Sequence, residues 1–297
     1  MSLVSAVKII NGDFEEAISK SLNLIDFNFS KDMHSIVIKP NLCYYFDYTT
    51  GYTTDPNFVA ALAQILRNNI SKDINICVVE SDASAMKCKY AFKMLGYEKM
   101  AKHYSLDLVN LSEDKGEKTE VHVGNHTFRF LVPSTIRKAD LLINVPKIKY
   151  TMRSVKISCA MKNIFGCNPY PNKFRYHENL NEVIVALNKL MKPDLCIVDG
   201  NTVFGEQTRK LGLVMASSDN VSIDAACAKI MGMSPNSIKC IRMAEKEKIG
   251  RTSFVVKGVP LNYFAARYPR HRCYTRVKNQ AFYCLTKFGI LSRMGID

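Results

Sequence analysis

A basic segment of the chain has the composition of an anion-binding site. Residues 145–166 read VPKIKYTMRSVKISCAMKNIFG and contain no acidic residue. The apolar residues at 157, 160, 161 and 164 recur at helical spacing, which predicts a helix with Lys156 in its first turn. An anion there would meet both free backbone N–H groups and an ammonium. The candidate anion ligands of the segment are Lys147, Lys149, Lys156, Lys162 and Asn163. The alternative is an ordinary solvated basic face.

Further polar side chains stand where short apolar runs end. The runs cover residues 35–42, 74–81, 139–147 and 193–200, and they are typical of strands buried on both faces of a parallel sheet. In such sheets, ligands bind beyond the carboxyl ends of the strands. The strand ends therefore add substrate-binding candidates, namely Lys39, Asn41 and Glu80, together with Asp199. Asp199 and Glu80 are also the candidates for holding a divalent cation or substrate hydroxyls, whereas ordinary turn residues are the alternative reading.

Proton transfer and hydrogen bonding to a ligand are assigned to a few more residues. His177 follows the basic segment and is the predicted general acid or base, with Asp199 as the second catalytic candidate. Thr53 and Thr54 lie in GYTTDP, which also predicts a helix start. Asp224 is predicted in the first turn of its helix, where it would complement the helix dipole, and it is also a substrate-binding candidate. For His177 the alternative is a loop cap.

The elements that must position these residues alternate along the chain. Helical patterns cover residues 55–69, 85–104 and 179–191, between the apolar runs. Residues 212–219 and 253–258 are further predicted strands, and residues 222–232 a further helix. Residues 121–130 predict an antiparallel hairpin with Gly124 and Asn125 in its turn. We therefore predict a Rossmann-like, doubly wound α/β fold with a mostly parallel sheet and an antiparallel hairpin insertion.

Composition narrows the class of protein. The 297 residues are 47% hydrophobic and carry 41 Lys and Arg against 27 Asp and Glu, a net charge of +14. Such a balance favours anionic partners. The ten cysteines form no CxxC pair, so we expect reduced, mostly buried thiols. There is no secretory signal and no apolar run of about 18 residues. We expect a cytoplasmic protein, with association to a membrane as the alternative.

The predicted domain organisation separates a basic tail from the rest. Residues 1–260 are predicted to form the α/β domain, and residues 261–297 a basic, aromatic C-terminal extension. From residue 262 onward, seven Lys and Arg stand against a single acid, interleaved with Tyr and Phe. Each basic residue near an anionic lipid surface contributes about 1 kcal/mol at best. The extension therefore predicts contact with a membrane surface through residues 262–297.

Seven ordered motifs resemble the family known as domain of unknown function 362. They are KPNL (39–42), GYTTDP (51–56), VVES (78–81), DLLINVPKIK (140–149), AMKNIFG (160–166), IVDG (197–200) and SIDAACAKIMGMSP (222–235). The resemblance covers residues 35–258 and implies a Rossmann-like architecture, distantly similar to the amino-terminal domain of lactate racemase. It implies no settled reaction. Many relatives carry a ferredoxin-type iron–sulfur segment, but this chain lacks CxxCxxC, so no cluster is expected. In the family a histidine often follows PKIK; here Tyr150 and Thr151 stand there, which makes His177 the predicted base.

Three functions follow from these features. The first is an enzyme, redox or group-transferring, that binds an anionic small molecule, carboxylate- or phosphate-bearing, at the strand ends. The second is a peripheral membrane protein that uses its basic tail to bind or act on a lipid-linked anion. The third is nucleic-acid binding, which net charge favours but for which no reader motif is present, so nucleic acid is not the expected partner.

Overall fold

The computed structural model describes residues 1–151 and 155–270. The strands are β1 (Ser2–Lys8), β2 (Ser35–Pro40), β3 (Asn75–Glu80), β4 (Asp107–Asn110), β5 (Gly116–Val123), β6 (His126–Pro133), β7 (Leu141–Val145), β8 (Lys147–Tyr150), β9 (Ile157–Ser158), β10 (Leu195–Phe204), β11 (Thr208–Ser217) and β12 (Phe254–Gly258). The α-helices are α1 (Phe14–Asn23), α2 (Pro56–Asn69), α3 (Cys88–Met94), α4 (Tyr97–Tyr104), α5 (Ser134–Arg137), α6 (Ala160–Ile164), α7 (Leu180–Leu190), α8 (Asn220–Ile230), α9 (Lys239–Lys246) and α10 (Leu261–Ala265).

One large, mostly parallel sheet organises the molecule. Its strand order is β12-β1-β11-β10-β7-β2-β3-β4; off this path, β8 pairs with β10, and β9 pairs with β8. The pairs from β10 through β7, β2 and β3 to β4 are all parallel. Strand β11 runs antiparallel to both β10 and β1. Strands β5 and β6 form the separate antiparallel hairpin. The predicted α/β class with its hairpin insertion is confirmed.

Alternate residues of the central strands supply two cores, one on each face of the sheet. On β2, Val37 belongs to the core that contains α7 and α8, whereas Ile36 and Ile38 belong to the core that contains α1 and α2. This alternation follows from the two-residue period of a strand. Because both faces are covered by helices, the strands are apolar throughout, which is the pattern by which the sequence predicted them.

Two helix predictions need correction. The helix expected over residues 85–104 is two helices, because Gly96 adopts a φ of 82° between α3 and α4. The helix expected to contain Lys156 in its first turn is wrong as well. Residues Ile157–Ser158 form β9, which pairs antiparallel with β8, and α6 begins only at Ala160. An apolar pattern of eight residues fits both arrangements, and pairing with β8 decides between them.

The first residues of the predicted C-terminal extension are packed on the α/β core. Phe264, in α10, is fully buried, and Tyr268 is nearly so. The Tyr268 hydroxyl donates to the carbonyl oxygen of Phe204 at 2.8 Å. Residues 261–270 therefore share the core of the preceding domain. Residues 271–297, where most of the predicted basic tail falls, lie outside the described residues.

Gly51 connects the loop after β2 to strand β10, and its substitution tests that contact. Gly51 has a φ of 80°, and an added Cβ would stand 2.5 Å from the carbonyl carbon of Val203. We expect Gly51→Ala to lower the free energy of unfolding by at least about 2 kcal/mol more than Gly12→Ala. Gly12 is the matched control, because its φ is 81° and its added Cβ meets nothing within 4 Å. Urea denaturation of both variants measures their free energies of unfolding. Equal decreases in the two variants would contradict the prediction.

Candidate functional site

A pocket opens where the order of the parallel strands reverses. From β2 the chain proceeds outward to β3 and β4, and then returns to the other side of β2 with β7 and β10. The crevice at such a reversal, beyond the carboxyl ends of the strands, is where open α/β sheets bind ligands. The pocket there has a volume of about 200 Å³. Its wall is formed by Lys39, Asn41, Leu42, Cys43, Tyr44, Glu80, Ala83, Ser84, Met86, Lys149, Ser158, Lys162, Asn163, Phe165, Gly166, Lys173, Phe174 and His177.

A buried ion pair forms part of the pocket wall. Lys39, at the end of β2, donates from Nζ to Glu80 Oε2 at 2.9 Å, and neither side chain is more than 4% exposed. The adjacent Gly166 leaves room for this pair, because an added Cβ would stand 2.8 Å from Lys39 Cε and 2.9 Å from Glu80 Oε1. The neutralised pair therefore supplies a polar surface with no net charge.

Lys149 is a second buried cation on the wall, and its partners are uncharged. Its Nζ donates to Asn41 Oδ1 and to the carbonyl oxygen of Tyr52, both at 2.7 Å. Strand β8 carries it to this position, and it is 5% exposed. Burial lowers the pKa of the Lys149 ammonium from its usual value, although the neighbouring Cys43 thiol acts in the opposite direction.

Lys173 is a third buried cation of the pocket, and it was absent from the predicted site. Its Nζ donates to Ser81 Oγ at 2.6 Å, and the residue is 8% exposed. Burial lowers its pKa to about 8, even though Glu80 favours the charged form. The signal that pointed to Lys173 is that the acid-free stretch continues to residue 177. Spacing alone does not distinguish this lysine from its solvated neighbours.

Asn163 anchors the base of the pocket. It lies on α6 and is 5% exposed. Its Nδ2 donates to the carbonyl oxygen of Lys39 at 3.0 Å and to Asn144 Oδ1 at 2.8 Å. Asn144 in turn donates to the carbonyl oxygen of Ala160. These bonds fix α6 against the ends of β2 and β7, so the helix presents Lys162 and Asn163 to the pocket.

Seven predicted residues meet at the pocket, and the remaining six do not line it. The seven are Lys39, Asn41, Glu80, Lys149, Lys162, Asn163 and His177. The other six are Thr53, Thr54, Lys147, Lys156, Asp199 and Asp224. His177 packs its ring edge-to-face on Phe174, with 4.8 Å between ring centroids. It is the histidine of the pocket wall, and its predicted role as acid or base remains a prediction.

Lys147 and Asp199 form a second buried ion pair, away from the pocket. Their Nζ and Oδ2 atoms are 3.0 Å apart, and the side chains are 1% and 0% exposed. Asp199 Oδ2 also accepts the backbone N–H of Asp55 at 2.9 Å, at the start of α2. Burial raises the pKa of Asp55 itself to about 6. The geometry gives this pair a positioning role, because it joins β8, β10 and α2.

Thr53 and Thr54 bond to the backbone near the strand reversal. Thr54 Oγ1 accepts the backbone N–H of Asn41 and donates to the carbonyl oxygen of Val145, both at 2.9 Å. Thr53 Oγ1 accepts the backbone N–H of Cys43 at 3.4 Å. Both threonines are fully buried. Their hydroxyls therefore hold the loop after β2 against the end of β7.

Lys156 and Asp224 have structural positions that differ from the predicted ones. Lys156 precedes β9 with a φ of 66°, and its Nζ donates to the carbonyl oxygen of Ser237 at 2.8 Å. Asp224 lies in the second turn of α8, not the first. Its oxygens accept the backbone N–H groups of Ala160 at 2.7 Å and Met161 at 3.1 Å. The anion at the start of α6 is therefore the chain's own carboxylate, whose pKa burial raises to about 7.

The two predicted cation ligands are each paired with a lysine. Glu80 bonds Lys39 and Asp199 bonds Lys147, so a metal ion would compete with an ammonium at either carboxylate. Over residues 1–151 and 155–270, no three His, Cys, Asp or Glu side chains are grouped as metal ligands would be. Seven of the eight cysteines in these ranges are buried.

The family profile described as Domain of unknown function (DUF362) matches residues 36–229, well over half of the chain. The chain belongs to this family. The match spans β2 to α8, and thus includes every residue of the pocket wall. The resemblance that the seven motifs predicted is confirmed.

This DUF362 chain is similar to a named relative and to a solved structure. The Thylakoid-associated protein sll1697 of Synechocystis sp. is 27% identical over 239 residues, which is 75% of this chain and 70% of the relative. The structure of the lactate racemase apoprotein from Thermoanaerobacterium thermosaccharolyticum aligns with a TM-score of 0.46 at 10% identity. That alignment covers 78% of this chain and 58% of the racemase chain. None of the helices in the described parts of the chain is long and apolar enough to cross a membrane.

Proposed function

We propose that this DUF362 protein is an enzyme that binds a small anionic substrate in the pocket at the strand reversal. One observation carries the proposal. Two buried ammonium groups, those of Lys149 and Lys173, face the pocket while their hydrogen bonds go to an amide oxygen, a carbonyl and a hydroxyl. Burying a cation is unfavourable unless a counter-charge offsets it, and the single carboxylate of the pocket wall, Glu80, is already bonded to Lys39. A bound carboxylate or phosphate supplies that counter-charge.

The charge of the pocket wall supports the same conclusion. The wall carries four lysines, Lys39, Lys149, Lys162 and Lys173, and a single carboxylate, Glu80. Four positive charges and one negative charge leave a surplus of three. In a partly desolvated crevice this surplus attracts anions more strongly than the same charges would in water.

The proposed roles follow the geometry of the wall. Lys149 and Lys173 bind the anion, and Asn41 orients Lys149 through the bond between Asn41 Oδ1 and Nζ. His177 transfers a proton to or from the substrate. The lysines stabilise negative charge that develops during the reaction, which is the main catalytic contribution expected of such a site. Lys147, Asp199 and the two threonines position the strands and the loop that carry these groups.

Direct titration of the protein with anions tests this proposal. Isothermal titration calorimetry with inorganic phosphate, and with small mono- and dicarboxylates, is expected to detect binding to the wild type. Lys149→Met is expected to weaken binding at least about tenfold, because a buried charge–charge hydrogen bond is lost. Lys156→Met is the control, since Lys156 bonds Ser237 outside the pocket. The proposal fails if no anion binds, or if Lys156→Met weakens binding as much as Lys149→Met does.

A second candidate function, contact with a membrane surface, is favoured by the exposed side chains around the pocket. Nine large hydrophobic side chains are exposed in the described residues, and six of them lie on wall segments of the pocket or on α3, which begins two residues after the wall residue Met86. They are Tyr44, Tyr45, Phe46, Tyr90, Met94 and Phe174. The Tyr45 hydroxyl accepts the backbone N–H of Lys87, which connects the first of these segments to the start of α3. Aromatic side chains are enriched at membrane interfaces, and one relative is named as thylakoid-associated.

Sedimentation with lipid vesicles separates this function from anion binding alone. We expect co-sedimentation with vesicles that contain an anionic phospholipid, and its loss in a Tyr44→Ser plus Phe46→Ser variant. The control is a variant of an exposed apolar residue away from the pocket, Val255→Ser. A chain truncated after residue 270 tests the predicted contribution of the tail. If no vesicle composition retains the protein, the membrane function is excluded. Anion binding in the pocket is then judged by the calorimetric titration alone.

A further inference from the structure

We propose that the anion bound in this pocket carries a hydroxyl group, which donates its hydrogen to Oδ1 of Asn163. This inference rests on the proposed function, because it names the class of anion that the same pocket takes. It follows from a buried acceptor in the pocket wall to which no other described residue donates.

The orientation of the Asn163 amide is determined by its neighbours. Its nitrogen faces two oxygens, the carbonyl of Lys39 at 3.0 Å and Oδ1 of Asn144 at 2.8 Å. Rotating the amide by half a turn would place oxygen against oxygen at both positions. The nitrogen is thus held toward the ends of β2 and β7. Oδ1 is buried, and within the described residues no donor reaches it.

An acceptor of this kind calls for a donor on the ligand. Asn163 lines the pocket and is 5% exposed, so its oxygen is shielded from bulk water. A buried acceptor without a donor is unfavourable, and a ligand that supplies the donor gains affinity over one that does not. The required group is one that fits beside the anion in the same pocket.

The charge of the wall selects a neutral donor. Lys39, Lys149, Lys162 and Lys173 surround the same pocket. They would repel a ligand ammonium, whereas a hydroxyl carries no charge and donates a single hydrogen. The inferred ligand therefore combines a negatively charged group, which meets the lysines, with a hydroxyl, which meets Asn163.

The volume of the pocket limits the size of this ligand. It is about 200 Å³, and a water molecule occupies about 30 Å³ of liquid. The pocket has the volume of several water molecules and is open to solvent on one side, so it favours a compact ligand. Small hydroxycarboxylates and the phosphate esters of short diols have this size. Their shared chemistry is an anionic oxygen group with a hydroxyl one or two carbon atoms away.

Matched pairs of anions test the inference on the unmodified protein. The pairs are acetate and glycolate, succinate and malate, and ethyl phosphate and 2-hydroxyethyl phosphate, each measured by isothermal titration calorimetry. The members of each pair differ by one hydroxyl. We expect the hydroxylated member of at least one pair to bind about tenfold more tightly, which is the effect of satisfying one buried acceptor. The pair that shows the preference also distinguishes a carboxylate from a phosphate.

Two variants assign the preference to Asn163. Asn163→Ala removes the acceptor and is expected to reduce the ratio of affinities within the pair to about one. Asn201→Ala is the matched control, because its Oδ1 is likewise buried without a donor in the described residues and lies outside the pocket. This control is expected to retain the preference. If Asn163→Ala does not fold, the paired affinities of the wild type still show whether the pocket prefers an anion that carries a hydroxyl.

The outcomes separate this inference from the proposed function. Anions that bind with equal affinity, with or without the hydroxyl, overturn the inference and leave the anion pocket in place. A preference that persists in Asn163→Ala also overturns it. If none of the six anions binds, both the inference and the proposed function fail.

Discussion

Lys147→Met is expected to lower the free energy of unfolding by about 3–5 kcal/mol, the cost of leaving a buried charge without its partner. The charge in question is the carboxylate of Asp199, which is 0% exposed and lies 3.0 Å from the Lys147 ammonium. The substitution removes the ammonium but keeps a side chain of similar length, so the loss arises from Asp199. Urea denaturation of the wild type and the variant measures the difference.

A surface pair and a double variant control this prediction. Lys189 and Glu247 are also 3.0 Å apart, but the lysine is 39% exposed, so Lys189→Met is expected to cost less than about 1 kcal/mol. Lys147→Met combined with Asp199→Asn removes both charges but keeps a side-chain oxygen at position 199 for the backbone N–H of Asp55. This double variant is expected to recover most of the stability lost in the single variant. A single variant as mild as Lys189→Met would contradict the burial of this pair.

Lys173→Met is expected to act in the opposite direction and raise the free energy of unfolding by about 3 kcal/mol at neutral pH. Burial lowers the pKa of Lys173 from 10.5 to about 8 in the folded protein, and each unit corresponds to about 1.4 kcal/mol. Below pH 8 Lys173 is protonated in both the folded and the unfolded protein, so the folded protein bears the whole cost of burying the charge. Between about pH 8 and 10.5 the folded state loses its proton first, and the penalty disappears. The stabilisation by Lys173→Met should therefore be largest below pH 8 and vanish near pH 10.5.

The same variant should lose anion binding while it gains stability. Thermal or urea unfolding across pH 6–10, together with phosphate titration, measures both effects. Lys173→Arg is the control that keeps the positive charge, and we expect no comparable stabilisation. If Lys173→Met is destabilising at neutral pH, then Lys173 already has its counter-charge within the protein, and it does not require an anion from solution.

The parallel part of the sheet and the position of the site could be predicted because both depend on local signals. Apolar runs identified β2, β3, β7 and β10, and the polar residues that ended them marked the side on which the pocket opens. The predicted parallel sheet placed Lys39 and Glu80 at the same edge, because each residue stands near the carboxyl end of its strand. Their ion pair across 2.9 Å is a direct result of β2 lying beside β3.

The remaining features depend on contacts that local patterns do not contain. Lys156 was expected at a helix start, but pairing of β9 with β8 overrides the helical spacing there. Asp224 was assigned to the start of its own helix and instead binds the start of α6, 64 residues earlier in the chain. Lys173 looks like any surface lysine in sequence, and only the folding of its segment over Ser81 buries it. Tertiary packing decides all three.

The position of β1 has a consequence for how the protein forms during synthesis. This strand lies between β11 and β12, and Ser5 bonds to Ala216 across 211 residues of chain. Strand β1 is therefore synthesised well before either of its neighbours, and it can pair only after β11 and β12 have been made. Contacts of such long range slow folding. The parallel strands β2, β3, β4, β7 and β10 can assemble earlier, so the pocket at the strand reversal is expected to form on the ribosome before the edge of the sheet that contains β1 is closed.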